Sequence, residues 1–210
     1  MTDYYQERAP EYEEFYHRPE RQAEQDDLKT WLKEEVRERT ILEIACGTGY
    51  WTAVAAQQAR FIQATDFNSA PMEIAEGKAL GEHVKFIQAD AYDLPDFDTV
   101  FDCGMAHFWW SHVLIADRQR FLAGLVSKLQ SGATVLMIDN NKVEGSTIPL
   151  TRKDQHGNTY QTRTRSNGSE YEVVKNFPGA NELRAAFTPF CSEVEVRQST
   201  YFWAVRGITK

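Results

Sequence analysis

The chain has 210 residues, 42% of them hydrophobic, which is enough for one compact α/β domain spanning residues 1–210. Its 31 acidic residues outnumber 23 basic ones, and the net charge of −8 disfavours nucleic acid as a partner. No apolar stretch approaches the roughly 20 residues of a membrane-spanning helix. The polar N-terminus is unlike a signal peptide, so neither membrane contact nor export is expected.

The cysteines set a further limit on location and on metal binding. Cys46, Cys103 and Cys191 show neither the close spacing of a zinc site nor the density of a disulfide-bonded secreted domain. This pattern favours a cytoplasmic protein that binds no metal.

Predicted helices and strands alternate along the first two thirds of the chain. Residues 1–39 are expected to form N-terminal capping helices, since 22–39 carry apolar residues at helical spacing. Strands are predicted at 40–44, 60–66, 84–89, 100–106 and 133–139, and helices between them at 51–59, 71–80 and 118–129. This alternation predicts a parallel sheet with helices on both faces.

An insertion over residues 142–178 interrupts the alternation. Two β-prone segments, 159–165 and 171–176, flank Asn167-Gly168, a strong hairpin signal. A helix at 181–187 and strands at 192–198 and 200–206 follow. The last strand is expected to run antiparallel to its neighbours.

The hairpin carries positive charges in an acidic chain. Arg163 and Arg165 alternate with threonines, so both project from one face of a strand and are able to clamp an anion. A two-residue turn would instead pair Arg165 with Glu170 and Arg163 with Glu172. That register also puts Lys175 on the other face, so only a bulge or strong twist would bring Arg163 and Lys175 to one ligand.

A glycine loop follows the first strand and predicts a nucleotide-like cofactor. Gly47 and Gly49 allow close approach of the backbone to a ligand, as in doubly wound sheets. The dinucleotide fingerprint requires a third glycine where this chain has Thr52. Glu43 before the loop would repel a pyrophosphate but suits a cation.

Carboxylates also end the next two predicted strands. Asp66 lies about 20 residues beyond the glycine loop, where an acidic side chain accepts hydrogen bonds from ribose hydroxyls. Asp90-Ala91 is placed to accept the adenine amino group, with Phe67 or Met72 packing on the ring. Each carboxylate alone could equally be a solvated or capping residue, but their joint placement favours a binding site.

These motifs resemble the class I S-adenosylmethionine-dependent methyltransferases over nearly the whole chain. The resemblance rests on Leu42-Glu43-Ile44-Ala45-Cys46-Gly47-Thr48-Gly49, on Asp66 and on Asp90-Ala91. It implies a Rossmann-like three-layer sandwich with a seven-stranded, mostly parallel sheet and an inserted β-hairpin lid. It also implies S-adenosylmethionine as cofactor, with S-adenosylhomocysteine as product.

Further shared marks are Gly47-Thr48-Gly49-Tyr50-Trp51-Thr52, the pair His107 and His112, and Val174-Lys175-x-Phe177 after the hairpin. Through them the chain resembles bacterial small-molecule O-methyltransferases such as the phosphonate O-methyltransferase of the dehydrophos pathway. That likeness implies that Tyr5 and Arg8 cover the cofactor. The complete set of expected cofactor-binding residues is Tyr5, Arg8, Glu43, Ala45, Gly47, Gly49, Trp51, Asp66, Phe67, Met72, Asp90, Ala91 and Ala106. The expected acceptor-binding residues are Tyr16, His112, Arg163 and Lys175.

Methyl transfer from a sulfonium is an in-line displacement, so the enzyme mainly positions the nucleophile and excludes water. An ionised phosphonate or carboxylate oxygen needs no general base, whereas a neutral amine or hydroxyl benefits from one. His107 and His112 are the candidate catalytic residues, although either could be a packing residue. The preferred prediction is methylation of an anionic oxygen on a small molecule, by a monomer or a homodimer.

Four alternatives remain open from the sequence. Phe108, Trp109 and Trp110 would suit N- or O-methylation of an aromatic or amine small molecule, or they simply fill space. A macromolecular substrate is disfavoured by the acidic charge. A non-catalytic adenosyl-binding protein would bind the cofactor without methyl loss. An NAD-dependent dehydrogenase is disfavoured by Glu43 and by the missing third glycine.

Overall fold

The computed structural model describes residue 13 and residues 16–164 and 168–210. The helices are α1 (Gln22–Glu35), α2 (Tyr50–Ala55), α3 (Ser69–Gly77), α4 (Arg118–Val126) and α5 (Ala180–Phe187). The strands are β1 (Thr40–Ile44), β2 (Phe61–Asp66), β3 (Val84–Gln88), β4 (Phe101–His107), β5 (Leu129–Asn140), β6 (Arg152–Lys153), β7 (Thr159–Thr164), β8 (Glu170–Val174), β9 (Cys191–Gln198) and β10 (Phe202–Thr209). The predicted order of elements is confirmed, with ends that differ by a few residues.

Seven strands form the main sheet in the order β3-β2-β1-β4-β5-β10-β9. The strands from β3 to β5 run parallel, and β10 is antiparallel to both β5 and β9. The prediction of a mostly parallel, seven-stranded Rossmann-like sheet with a reversed last strand is confirmed. The strand order reverses between β1 and β4, and ligands of doubly wound sheets bind beyond the carboxyl ends of strands at such a point.

Successive residues of β1 show how the sheet separates two hydrophobic cores. Ile41 packs in a cluster that includes Trp31 and Leu32 of α1, whereas Leu42 packs with Phe121 of α4 and Phe187 of α5. Side chains alternate between the two faces of a strand, so each face of the sheet carries its own helical layer. This is the expected three-layer arrangement.

The insertion forms a separate antiparallel sheet of three strands, β6-β7-β8, rather than a simple hairpin. A two-residue turn would pair Arg163 with Glu172. In the structure, Arg163 lies opposite Tyr171 and Thr162 lies opposite Glu172. Five residues separate the last described pair, Thr164 and Glu170, so a two-residue turn does not fix the register.

A shift of one residue in register moves a side chain to the other face of its partner strand. Arg163 therefore lies on the same face as Tyr171. Lys175, four residues after Tyr171, lies on that face too. The predicted separation of Arg163 from Lys175 and its pairing with Glu172 are both wrong. Glu172 accepts hydrogen bonds from Arg152 instead, at 2.7 Å from Nε. The predicted pairing of Arg165 lies outside the described residues.

Within the described part of the chain, no helix is both long enough and apolar enough to span a bilayer.

Candidate active site

The glycine loop leaves β1 through three residues with positive φ angles, Ala45, Gly47 and Gly49. The loop is held from β2, since the backbone N–H of Gly47 donates to Asp66 Oδ2 at 2.8 Å and that of Cys46 donates to the Thr65 carbonyl at 2.9 Å. These contacts bend the backbone around the carboxyl end of β1. The predicted loop and the predicted strand-end carboxylate therefore form one unit.

Gly49 is a position where the structure leaves no room for a side chain. A Cβ there would lie 2.8 Å from Ala75 Cβ on α3, and the φ of 74° is strained for any other residue. We expect Gly49→Ala to destabilise the protein by at least about 2 kcal/mol in urea unfolding, from the combined clash and strain.

Gly124→Ala is the matched control for this change. Gly124 lies within α4, and a Cβ there would meet no atom within 4 Å. Alanine in a helix interior should raise stability by about 0.5–1 kcal/mol. Equal effects of the two substitutions would contradict the close approach of the loop to α3.

A cleft of about 300 Å³, counting space open to solvent, lies beside the loop. It is lined by Tyr16, Glu43, Ala45, Cys46, Gly47, Thr48, Tyr50, Trp51 and His107. Of the predicted cofactor residues, Glu43, Ala45, Gly47 and Trp51 meet here. Tyr16, predicted on the acceptor side, and His107, a candidate catalytic residue, join them.

Glu43 is a buried carboxyl group at the wall of the cleft. Its Oε2 atom has no hydrogen-bond partner among the described residues. Burial, with a further contribution from Asp66, raises the pKa of Glu43 to about 8. A cation in the cleft would supply the missing partner and favour the ionised form. The charge of Glu43 thus fits a cationic ligand.

His107 ends β4 and lines the cleft, with its ring 5.6 Å from that of Trp51. Neither ring nitrogen has a partner in the described part of the chain. Burial lowers the pKa of His107 to about 3, so the ring is neutral and a weak base. This environment suits a hydrogen-bonding wall residue better than a proton acceptor.

The remaining predicted adenosine-binding residues lie near the ends of β2 and β3. Asp66 accepts the backbone N–H of Gly47 at Oδ2 and that of Asn68 at Oδ1, and each oxygen keeps a lone pair for a ligand. Asp90 is exposed and accepts the backbone N–H of Tyr92. Phe67 is 52% exposed, as an open aromatic face beside the site. Met72, Ala91 and Ala106 are buried.

Aromatic side chains pack against one another at the cleft and next to it. Tyr16 stacks on Tyr50 with centroids 4.0 Å apart and meets Phe108 edge to face at 5.5 Å. Trp110, in contrast, is buried against Phe187 in the other core. The aromatic run at 108–110 therefore does not act as one pocket.

Glu13 contacts the glycine loop and the end of α3. Its Oε1 accepts a hydrogen bond from Thr48 Oγ1 at 2.7 Å and forms an ion pair with Lys78 after α3. The expected cover of the cofactor by Tyr5 and Arg8 falls outside the described residues. Glu13 was not predicted from the sequence, because a single glutamate in a charged segment has no distinguishing pattern.

A second polar cluster lies where the small sheet meets the end of β5. Lys175 Nζ donates to Ser111 Oγ at 2.6 Å and lies 3.3 Å from Asp139 Oδ1. Asp139 Oδ2 accepts the backbone N–H of Ser111 at 2.8 Å. His112 Nδ1 lies 2.7 Å from the Val174 carbonyl, the hydrogen-bonding partner that orients its ring. Burial, reinforced by Lys175, lowers the pKa of His112.

Sequence reasoning missed Asp139 and Ser111, although a signal for one of them was present. Asp139 lies near the end of a predicted strand, as Glu43, Asp66 and Asp90 do. No sequence pattern marks Ser111, because its role depends on the contact between two sheets.

Arg163 lies on the same face of the small sheet as Lys175 and is partly buried. Its Nη2 donates to Gln161 Oε1 at 2.7 Å, while its Nε has no partner among the described residues. Of the ion pairs formed by described residues, none involves Arg163. Its positive charge is thus available to a ligand.

Among the described residues, no group of three potential metal ligands lies close enough together to hold an ion.

Comparison with known proteins shows similarity to methyltransferases. Residues 41–132 match the family model described as a methyltransferase domain. This match and the sheet order agree with the Rossmann-like fold and the methyltransferase domain that the sequence resemblance implied.

Two solved structures of DhpI are similar over nearly the whole chain. The DhpI–SAH complex is 24% identical with a TM-score of 0.80, covering 99% of this chain and 94% of DhpI. The DhpI–SAM–HEP complex is 25% identical with a TM-score of 0.77, covering 97% of this chain and 94% of DhpI.

Curated relatives match a shorter region. The demethylmenaquinone methyltransferase of Clavibacter sepedonicus is 29% identical over 114 residues, which are 54% of this chain and 44% of that protein. The chain spans about half the length of the first curated relatives it matches.

Proposed function

We propose that this protein transfers a methyl group from S-adenosylmethionine to an anionic oxygen of a small molecule, such as a phosphonate or carboxylate. One observation carries the choice of acceptor. Arg163 and Lys175 share a face of the small sheet, and Arg163 has no carboxylate partner in the described chain. A partly buried guanidinium with no carboxylate partner among the described residues is suited to an anionic ligand.

The cleft at the glycine loop is the proposed cofactor site. S-adenosylmethionine, when bound, supplies an electrophilic methyl group on a sulfonium. Glu43 would bind the cationic methionine portion, and Gly47 and Gly49 would let the backbone approach it, with Ala45, Trp51 and Ala106 beside them. Asp66 and Asp90 would bind the ribose and the adenine, with Phe67, Met72 and Ala91 packing near the ring. Tyr5 and Arg8 are proposed to cover the site.

The acceptor would be held between the cleft and the small sheet. Arg163 and Lys175 would bind its charged oxygens, while Tyr16 and His112 would shape the pocket. An ionised oxygen needs no base, and the lowered pKa values of His107 and His112 agree with positioning rather than proton removal. The likeness to DhpI, solved with SAM and HEP, supports this arrangement.

Arg163→Ala tests the proposal. We expect kcat/KM for anionic acceptors to fall by roughly 100-fold, since a charge-assisted contact is lost, while S-adenosylmethionine binding is unchanged. The measurement is release of S-adenosylhomocysteine over a panel of small phosphonates, carboxylates, phenols and amines.

Arg152→Ala is the control, because Arg152 forms an exposed ion pair with Glu172 in the same small sheet. It should keep at least about half of the wild-type kcat/KM, as exposed pairs contribute little. Unchanged turnover of every anionic acceptor by the Arg163 variant would sink the proposed clamp.

A second candidate function is methylation of an aromatic ring system. It is favoured by the relatedness to demethylmenaquinone methyltransferases and by the rings of Tyr16, Trp51 and Phe108 near the cleft. In the same panel, turnover of phenols but of no phosphonate or carboxylate would select it. Turnover would then be insensitive to Arg163→Ala.

A further inference from the structure

Asp139 has no role in the cofactor site or in the proposed acceptor clamp, yet it is wholly buried beside both. It follows Ile138, which pairs with His107 at the end of β4. Burial alone would favour the neutral acid, but Lys175 and the backbone N–H groups of Ser111 and Asn140 lower the pKa of Asp139. The residue is therefore a buried carboxylate.

Among the described residues, three charged groups lie close enough here to act on one another or on His112: Asp139, Lys175 and Arg163, which we call the charge trio. Lys175 lies 3.3 Å from Asp139, so its charge is offset within the protein. His112, next to the trio, has a lowered pKa and is neutral. Arg21 is a more distant cation that donates to Ser146 Oγ at 2.8 Å. The trio itself carries one net positive charge.

We propose that Asp139 is a specificity-determining residue that restricts the acceptor to a single negative charge where it meets Arg163 and Lys175. This inference rests on the proposed function. A singly charged oxygen group would neutralise the trio. A doubly charged group would leave one negative charge uncompensated in a buried site, which is costly.

This charge limit distinguishes carboxylates from phosphonates. A carboxylate carries one charge at any pH above its ionisation. A phosphonate carries two charges above its second ionisation, so it must take up a proton in order to bind as the monoanion. Proton uptake on binding is therefore the signature of the charge limit.

The test is calorimetric titration with methylphosphonate and with acetate, in the presence of S-adenosylhomocysteine. The pH is kept above the second ionisation of the phosphonate, and two buffers with different ionisation enthalpies report proton uptake. We expect the wild-type protein to take up about one proton with methylphosphonate and none with acetate. Phosphorus NMR of the bound ligand should show the monoanion, which distinguishes a proton on the ligand from one on His112.

Asp139→Asn removes the carboxylate and should abolish the proton uptake. The same change should shift the ratio of methylphosphonate to acetate affinity toward the phosphonate by roughly tenfold. Ser111→Ala, which removes a neutral hydrogen bond to Asp139 and Lys175, should behave as wild type in proton uptake. Glu172→Gln, which removes an exposed carboxylate from the same sheet, is the second control.

The outcomes separate the two proposals. Methylphosphonate that binds wild type as the dianion overturns the charge limit, even if Asp139→Asn does not fold. An Asp139→Asn protein with unchanged proton uptake and unchanged affinity ratio also overturns it. A wild-type protein that neither binds nor methylates any anion overturns the proposed function instead.

Discussion

Glu43→Gln is expected to weaken S-adenosylmethionine binding by roughly 100-fold, because the substitution removes the buried charge that faces the cleft. The amide keeps the shape of the side chain and leaves the cleft wall in place. Calorimetric titration with S-adenosylmethionine measures the loss. 5′-Methylthioadenosine is the matched ligand, since it keeps the adenosine and lacks both positive charges, and its affinity should change by less than about threefold.

The same carboxyl group predicts a pH dependence with a definite sign. Burial raises the pKa of Glu43 to about 8, so the unliganded protein holds a proton there at neutral pH. A cation binds better to the ionised form, so S-adenosylmethionine affinity should rise with pH and level off above about 8. The Glu43→Gln protein should show no such rise, and a parallel rise in both proteins would contradict the assignment.

The stability of the unliganded protein should instead fall as the pH rises. A folded-state pKa above the ordinary value of 4.5 means that the native state binds more protons between those pH values. The stabilising contribution of protonated Glu43 is complete below about 4.5 and is lost as the pH rises through about 8. Relative to Glu43→Gln, the wild-type Tm should therefore fall between pH values near 5 and 9.

Lys175→Met is expected to destabilise the fold by about 3–5 kcal/mol, because it leaves Asp139 buried without its counter-charge. Urea unfolding at neutral pH measures the change. Arg152→Met breaks an exposed pair in the same small sheet and should change the stability far less, because solvent screens exposed pairs.

The double variant Lys175→Met/Asp139→Leu tests whether the lost stability comes from the broken ion pair or from lost packing. Removing both charges should recover much of the lost stability, since no uncompensated charge remains buried. If the double variant is no more stable than Lys175→Met, the ion pair is not the source of the effect.

Much of the fold followed from local patterns. The strand at Thr40–Ile44 was predicted with its observed ends, because a short apolar run between a charged helix and a glycine turn has few alternatives. The glycine loop and Asp66 were predicted as neighbours, and they are joined by a hydrogen bond of 2.8 Å. Carboxylates at the ends of strands can be recognised from the sequence as one site, because parallel strands bring their carboxyl ends to one edge of the sheet.

The charges of the small sheet were not predictable in the same way. The turn residues indicated a hairpin, but its register differs by one residue, and that difference reverses whether Arg163 and Lys175 share a face. The aromatic run at 108–110 was likewise ambiguous, because Phe108 lies at the cleft while Trp110 enters the other core. Short apolar runs do not specify which core they join.

The sequence by itself determined the fold and the place of the candidate site, through a glycine loop, the strand-end acids Glu43, Asp66 and Asp90, and a regular alternation of strands and helices. These features are either local in the sequence or lie at strand ends, which a parallel sheet brings to one edge. Only the tertiary structure decided the environment of the charges. It paired Lys175 with Asp139, left Arg163 without a carboxylate partner in the described chain, and buried Glu43, because charge pairing and burial depend on contacts between residues distant in sequence.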